Sequence, residues 1–119
     1  MVYKAQSGHP GGSLSCIDIL VGLYRSAMRF DPDNPGWGDR DRFVMSKGHA
    51  SPAVYSILRD GGVLEDSDLD GFRSLGSVCQ GHVDRKWTEG VDFSAGSLGM
   101  GLSFGLGSAL AARLDVSER

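Results

Sequence analysis

The chain has 119 residues, 40% of them apolar and 23% charged, a balance that suits one small globular domain and excludes a disordered tail. Its formal net charge of −3, with basic residues scattered rather than striped, leaves no footprint for a polyanion, so nucleic acid is not an expected partner. The only two cysteines, Cys16 and Cys79, form no C-x-x-C pair, which argues against a disulfide framework or zinc ribbon and for a reducing, cytoplasmic setting.

The opening residues, MVYKAQSGHP, lack the apolar centre of a signal peptide. No run reaches the roughly 20 apolar residues of a membrane span, so no membrane partner is expected. Residues 7–15, SGHPGGSLS, read as a glycine-rich loop carrying His9. Over 16–29 the apolar residues Ile17, Leu20, Val21, Tyr24, Ala27 and Met28 recur at helical spacing, and Ile19 and Leu23 widen the stripe. A helix more than half covered is predicted there. Ser15, with Asp18 three residues on, has the form of a capping box. Residues 30–40 hold two prolines and two glycines and read as a loop that Phe30 and Trp37 hold down.

Phe43, Val44, Met45 and Ser46 read as a short buried strand, after which Lys47 and Gly48 turn the chain. Ser51 before Pro52 has the form of an N-cap with proline at the first helical position, so AVYSILRD is predicted helical until Gly61 and Gly62 stop it. His49 then stands just ahead of a helix N-terminus, where free N–H groups and the helix dipole attract a phosphate. The alternative is a strand-to-helix turn whose histidine only hydrogen-bonds the backbone. Ser67 is placed as the cap of a short helix carrying Leu69, Phe72 and Leu75 and ended by Gly76. Residues 77–95 show little periodicity, as functional loops do, and hold His82.

The last element, 96–114, is a helix uncharged until Arg113, with Gly101, Gly105, Ser108, Ala109 and Ala112 lining one face with almost no side chain. Each glycine costs a helix about 1 kcal/mol relative to alanine, so close packing on another backbone is expected to hold it. One strand cannot make a sheet. The chain therefore reads as part of an α/β domain, helix-rich and with few strands, whose next strand would begin at 116–119.

The three histidines each follow a glycine in a loop: S-G-H-P-G at His9, K-G-H-A at His49 and Q-G-H-V at His82. None sits in a helical stripe. Cys79 and His82 have C-x-x-H spacing, but no second pair completes a tetrahedral zinc set. Eighteen glycines, about twice the usual share of ~7%, gather around these loops and the last helix, as repeated close approaches of backbone would require.

Taken in order, SGHPGGSLS, DRFVMSKGHASPAVYSIL, GHVDRK and GVDFSAGSLGMGLSFGLGSALA resemble the N-terminal thiamine-diphosphate-binding region of transketolases. GSLGMGLS is most similar to the split type, whose two halves are separate chains. The resemblance covers nearly all of 1–119 and implies one partial domain of the three-layer, thiamine-diphosphate-binding kind, incomplete at both ends. It implies transfer of a two-carbon ketol unit from a ketose phosphate to an aldose phosphate, in the cytoplasm and in the pentose phosphate pathway. His49 matches a histidine that contacts the cofactor diphosphate. Gly96, Ser97 and Leu98 match a segment whose backbone meets the aminopyrimidine ring and whose leucine packs on the cofactor. His9 and His82 match histidines that bind the donor sugar and assist its proton transfers, a role neutral imidazoles suit.

Val83 stands where the family commonly has proline, and Met100 where it commonly has glutamine. The G-D-G segment and asparagine that hold the Mg2+ or Ca2+ of the complete enzyme are expected beyond Arg119, and the activating glutamate on another domain. The chain alone is accordingly expected to be inactive and to need a C-terminal transketolase half or second subunit, in a dimeric or higher assembly. Two other readings stand beside this one: a truncated, non-catalytic piece that serves only as a packing module, and another thiamine-diphosphate enzyme of the same superfamily.

Overall fold

The segment Ser51–Asp60 (α4) is the centre of the molecule, because seven of its residues, Ser51 to Tyr55 with Ile57 and Leu58, are buried. The computed structural model describes residues 1–115, and the strand expected to begin at 116–119 lies outside them. Ahead of α4 lie α1 (Val2–Ala5), α2 (Pro10–Leu14) and α3 (Ile17–Gly22), the last running into a π-helical turn, Leu23–Ala27. A 3-10 turn, Gly48–Ala50, leads into α4; α5 (Asp66–Asp70) and α6 (Met100–Leu114) follow. The core gathers Leu20 of α3, Met45, Val54, Tyr55 and Leu58 of α4, Leu64, Phe72, Cys79 and Val83 around the central helix.

Among the described residues there is no strand. This corrects the strand expected at 43–46: Met45 is buried as predicted, but the segment finds no ladder partner, and an extended run becomes a strand only by pairing. What it pairs with instead is a side chain, since the Phe43 N–H donates to Asp92 Oδ2 at 3.1 Å. Asp92 also takes both arms of the Arg40 guanidinium at 2.8 and 2.9 Å, and the two side chains are only 4% and 8% exposed. Arg40 lies over the Phe30 ring, which packs edge-on to Tyr24; Phe30 thus anchors the 30–40 loop, while Trp37 is exposed.

Several helix ends also differ from the sequence expectations. The predicted helix over 16–29 is α-helical only to Gly22, and Ile19 and Val21 are exposed, so its apolar stripe is only partly covered. Cys16 is its N-cap and no Ser15–Asp18 capping box forms, because the Ser15 hydroxyl donates back to the Gly12 carbonyl. Ser51 is not a cap either: its hydroxyl donates to the Gly81 carbonyl, a tertiary contact that outcompetes the local one. α5 is capped by Glu65 rather than Ser67, with the Glu65 N–H donating to Asp68 Oδ2, and it ends before Leu75, which is fully exposed. Gly61 and Gly62 do end α4, Gly62 at φ +91°. α6 starts at Met100, four residues later than expected, after Gly99 at φ +83°.

Candidate functional site

His9 is the N-cap residue of α2, fixed by Pro10 at the first helical position and by Ser13, whose N–H donates to the His9 carbonyl. Gly8 before it holds φ +145°, a conformation side chains rarely adopt, with the Val2 side chain against its bare face. His49 lies within the 3-10 turn that opens α4. Its ring rests on Gly12, where an added Cβ would sit 3.3 Å from Cδ2 and Nε2, and the His9 and His49 ring centroids are 5.1 Å apart, edge to face. Lys47 ties the two loops together, its ammonium donating to the Gly12 carbonyl at 3.0 Å and to Ser15 Oγ at 2.9 Å.

The loop of His82 is sewn to the same place from behind. Tyr55 of α4 donates its hydroxyl to the carbonyls of Gln80 and His82, Ser51 holds Gly81, and the Val83 N–H reaches the Gly48 carbonyl. Burial, then the Arg73 guanidinium, then His49 and His9 hold the His82 imidazole below the ordinary histidine range. It is therefore neutral near pH 7, with one nitrogen to donate and one to accept.

Residues 95–99 close the group. The Ala95 N–H donates to the Val83 carbonyl, and Ala95 packs so tightly on Gly48 that a Cβ at Gly48 would overlap its own Cβ. Gly101 of α6 is pressed on Ser46 in the same way, 2.7 Å from the Ser46 Cα for a built Cβ. Gly96, Ser97 and Leu98 are exposed, and their N–H groups find no partner among the described residues. The close approach expected of the α6 small-residue face is thus made at Gly101, whereas Gly105 meets nothing within 4 Å of a built Cβ.

A cleft of about 510 Å³ is lined by His82, Gly81, Trp87 and Ala95, but not by His9 or His49. His9 and His82 are exposed and His49 is half-buried. Among the described residues no three His, Cys, Asp or Glu side chains group to hold a metal ion.

Sequence reasoning missed Arg73. It is a non-glycine residue at φ +64°, its N–H donates to the Cys79 carbonyl, and its guanidinium donates to Ser7 Oγ. A left-handed backbone costs a side-chain-bearing residue about 1–3 kcal/mol, and its buried Nε–H lacks a hydrogen-bond partner, a further ~1–3 kcal/mol. Nothing in the letters F-R-S-L signals this, because both costs arise from tertiary packing.

The sequence profile of the family described as "Transketolase, thiamine diphosphate binding domain" matches residues 1–118, and the chain belongs to that family. It is 45% identical over 112 residues to the 6-deoxy-6-sulfo-D-fructose transketolase subunit SqwG of Clostridium sp. (strain MSTE9), covering 94% of this chain and 41% of that one. It is 43% identical over 118 residues to one of the subunits of the apulose-4-phosphate transketolase of Phocaeicola vulgatus, covering 99% of this chain and 42% of that one. The crystal structure of a Pichia stipitis transketolase in complex with sedoheptulose-7-phosphate superposes on 92% of this chain and 16% of its own, with TM-score 0.88 and 41% identity. The chain thus spans about two fifths of the subunit relatives and a sixth of that crystallised enzyme.

Proposed function

We propose that this chain forms one wall of a transketolase active site and, completed by further sequence, takes part in ketol transfer between sugar phosphates. The observation that carries the reading is the edge-to-face pair of His9 and His49 from two loops, with the loop of His82 tied to the same turn by the Val83 N–H on the Gly48 carbonyl and by the Ala95 N–H on the Val83 carbonyl. The residues fit thiamine diphosphate by the chemistry of their donors: unbonded backbone N–H groups at Gly96, Ser97 and Leu98, and imidazoles. Support also comes from membership of the family and from relatives that are themselves named as transketolase subunits.

In this reading His49 donates to the diphosphate, and Gly96, Ser97 and Leu98 hold the aminopyrimidine side through main chain and the leucine side chain. When bound, thiamine diphosphate supplies the electron sink for breaking and making the carbon–carbon bond. His9 and His82 bind the hydroxyls of the donor sugar and move protons at its oxygens, His82 being kept neutral by its surroundings. A Mg2+ or Ca2+ ion on the diphosphate takes its ligands from outside this chain, as does the group that activates the aminopyrimidine. The chain by itself is then inactive, its partner a C-terminal half or second subunit, its setting cytoplasmic, and its helices one part of a three-layer α/β domain.

The test is reconstitution of the full assembly with thiamine diphosphate and magnesium, with ketol transfer and cofactor affinity measured separately. His49→Ala is expected to weaken cofactor binding, while His9→Ala and His82→Ala each lower kcat by about 100-fold with cofactor affinity retained. Wild-type turnover in the His9→Ala/His82→Ala double variant overturns the reading.

A further inference from the structure

Arg73 stands at the meeting of two histidine loops. Its guanidinium donates to the hydroxyl of Ser7, two residues ahead of His9. On its other side it lies against Gly81, where a built Cβ would come within 3.0 Å of Nε and 3.4 Å of Cζ and Nη2, so a side chain before His82 would push the guanidinium back. From below it rests on the Phe72 ring, 5.6 Å from the centroid, and Phe72 packs edge-on to Tyr55, whose hydroxyl holds the His82 carbonyl. The backbone is held at φ +64° by the N–H bond to the Cys79 carbonyl, and the Nε–H is buried without a partner. A residue that keeps both a strained backbone and an unmatched donor does so because the surrounding contacts over-determine its place.

We propose that Arg73 is a positioning residue for the histidine wall, its guanidinium joining the loop of His9 at Ser7 to the loop of His82 at Gly81. A planar fork reaches both loops at once, which an ammonium does not. The charged and titratable groups that act on His82 are Arg73, His49 and His9; Asp84, two residues on, is engaged with the Ser94 hydroxyl and the Lys86 N–H. Arg73 is thus the one permanent cation acting on that ring among those named. The catalytic consequence rests on the functional reading above, whereas the geometric coupling does not.

The experiment is NMR of the full chain with labelled histidines, followed by kinetics of the reconstituted enzyme. Arg73→Met is expected to shift the ring resonances of both His9 and His82 and to move the His82 titration midpoint upward, because a cation that disfavours imidazolium is gone. Arg73→Lys is expected to restore the His82 midpoint but not the His9 resonance. In the assembled enzyme Arg73→Met lowers kcat about tenfold with the donor KM changed less than about threefold. A folded Arg73→Met chain with both resonances and the His82 midpoint unmoved overturns the proposal. If Arg73→Met does not fold by circular dichroism, Ser7→Ala and Arg73→Lys decide it, and an unmoved His9 resonance in both is the overturning result. Shifted resonances with unchanged turnover uphold the coupling and overturn instead the catalytic roles given to His9 and His82.

Discussion

Gly48 and Gly101 are the two positions where the last helix and its lead-in touch the histidine turn, and each tolerates no Cβ without displacement of Ala95 or Ser46. Gly48→Ala is expected to destabilise the fold by about 1–3 kcal/mol, read as a lower urea midpoint, because the overlap is with backbone-proximal atoms that cannot swing away. Gly101→Ala behaves likewise. Gly105→Ala does the opposite, raising stability by up to about 1 kcal/mol, since a Cβ there meets nothing and the helix gains propensity. Cys79 offers a second single-residue test. Burial, with a smaller push from Asp68, raises its thiol to about 12, so at pH 8 it stays protonated and enclosed. Alkylation by iodoacetamide should therefore track unfolding in denaturant rather than precede it. At this scale the histidines are legible because each is announced by a neighbouring glycine in its own loop. Arg73 is not, since what makes it unusual is a φ angle and a buried nitrogen set by residues 7, 72, 79 and 81.

α4 carries the ties that aim the site, through Ser51 to Gly81 and Tyr55 to Gln80 and His82. Tyr55→Phe keeps the packing and removes the hydroxyl, leaving two carbonyls without that donor; a loss of about 1 kcal/mol is expected, together with a shifted His82 resonance. The 30–42 segment depends on a buried pair instead. Asp92→Ala strips Arg40 of its bidentate partner and the Phe43 N–H of its acceptor, and should cost about 3–5 kcal/mol because it strands a charge in the interior. α2 (Pro10–Leu14) forms inside the run read as a glycine-rich loop, having no apolar stripe to announce it, whereas α4, α6 and the first part of 16–29 are readable from periodicity, and the stop at Gly61 and Gly62 from composition. Their caps are not: Ser15 and Ser51 look like local caps, yet their hydroxyls go to the Gly12 and Gly81 carbonyls. The expected strand at 43–46 fails for a related reason, as alternation and burial describe a strand's faces but pairing depends on a second segment.

Among the acid-sensitive contributions to the whole molecule, those of His82 and Asp84 have opposite causes and the same sign. His82 has a folded pKa below its unfolded value, so the unfolded chain binds the extra proton; stability is unaffected above the ordinary value near 6.5 and falls as pH drops below it. Asp84 is held low by the Ser94 hydroxyl and the Lys86 N–H, so its contribution is present above the ordinary carboxylate value of about 3.9 and is lost as pH falls through its depressed one. Urea midpoints should therefore be lower at pH 5 than at pH 7.5, and His82→Gln should flatten that difference while leaving the loss near pH 3. α6 shows the other whole-molecule property: Leu102, Leu106, Leu110 and Leu114 recur every fourth residue and are 51–85% exposed. No helix among the described residues is long and apolar enough to cross a membrane. The contact of Ala95 on Gly48 also sets an order of construction during synthesis. The turn bearing His49 emerges from the ribosome 46 residues ahead of Ala95, and until that methyl arrives the hollow over Gly48 stays unfilled. Nascent chains stalled before residue 95 should accordingly protect α4 from proteolysis while leaving the Lys47 peptide open to trypsin, and the site would set only after the lead-in to α6 has cleared the exit tunnel.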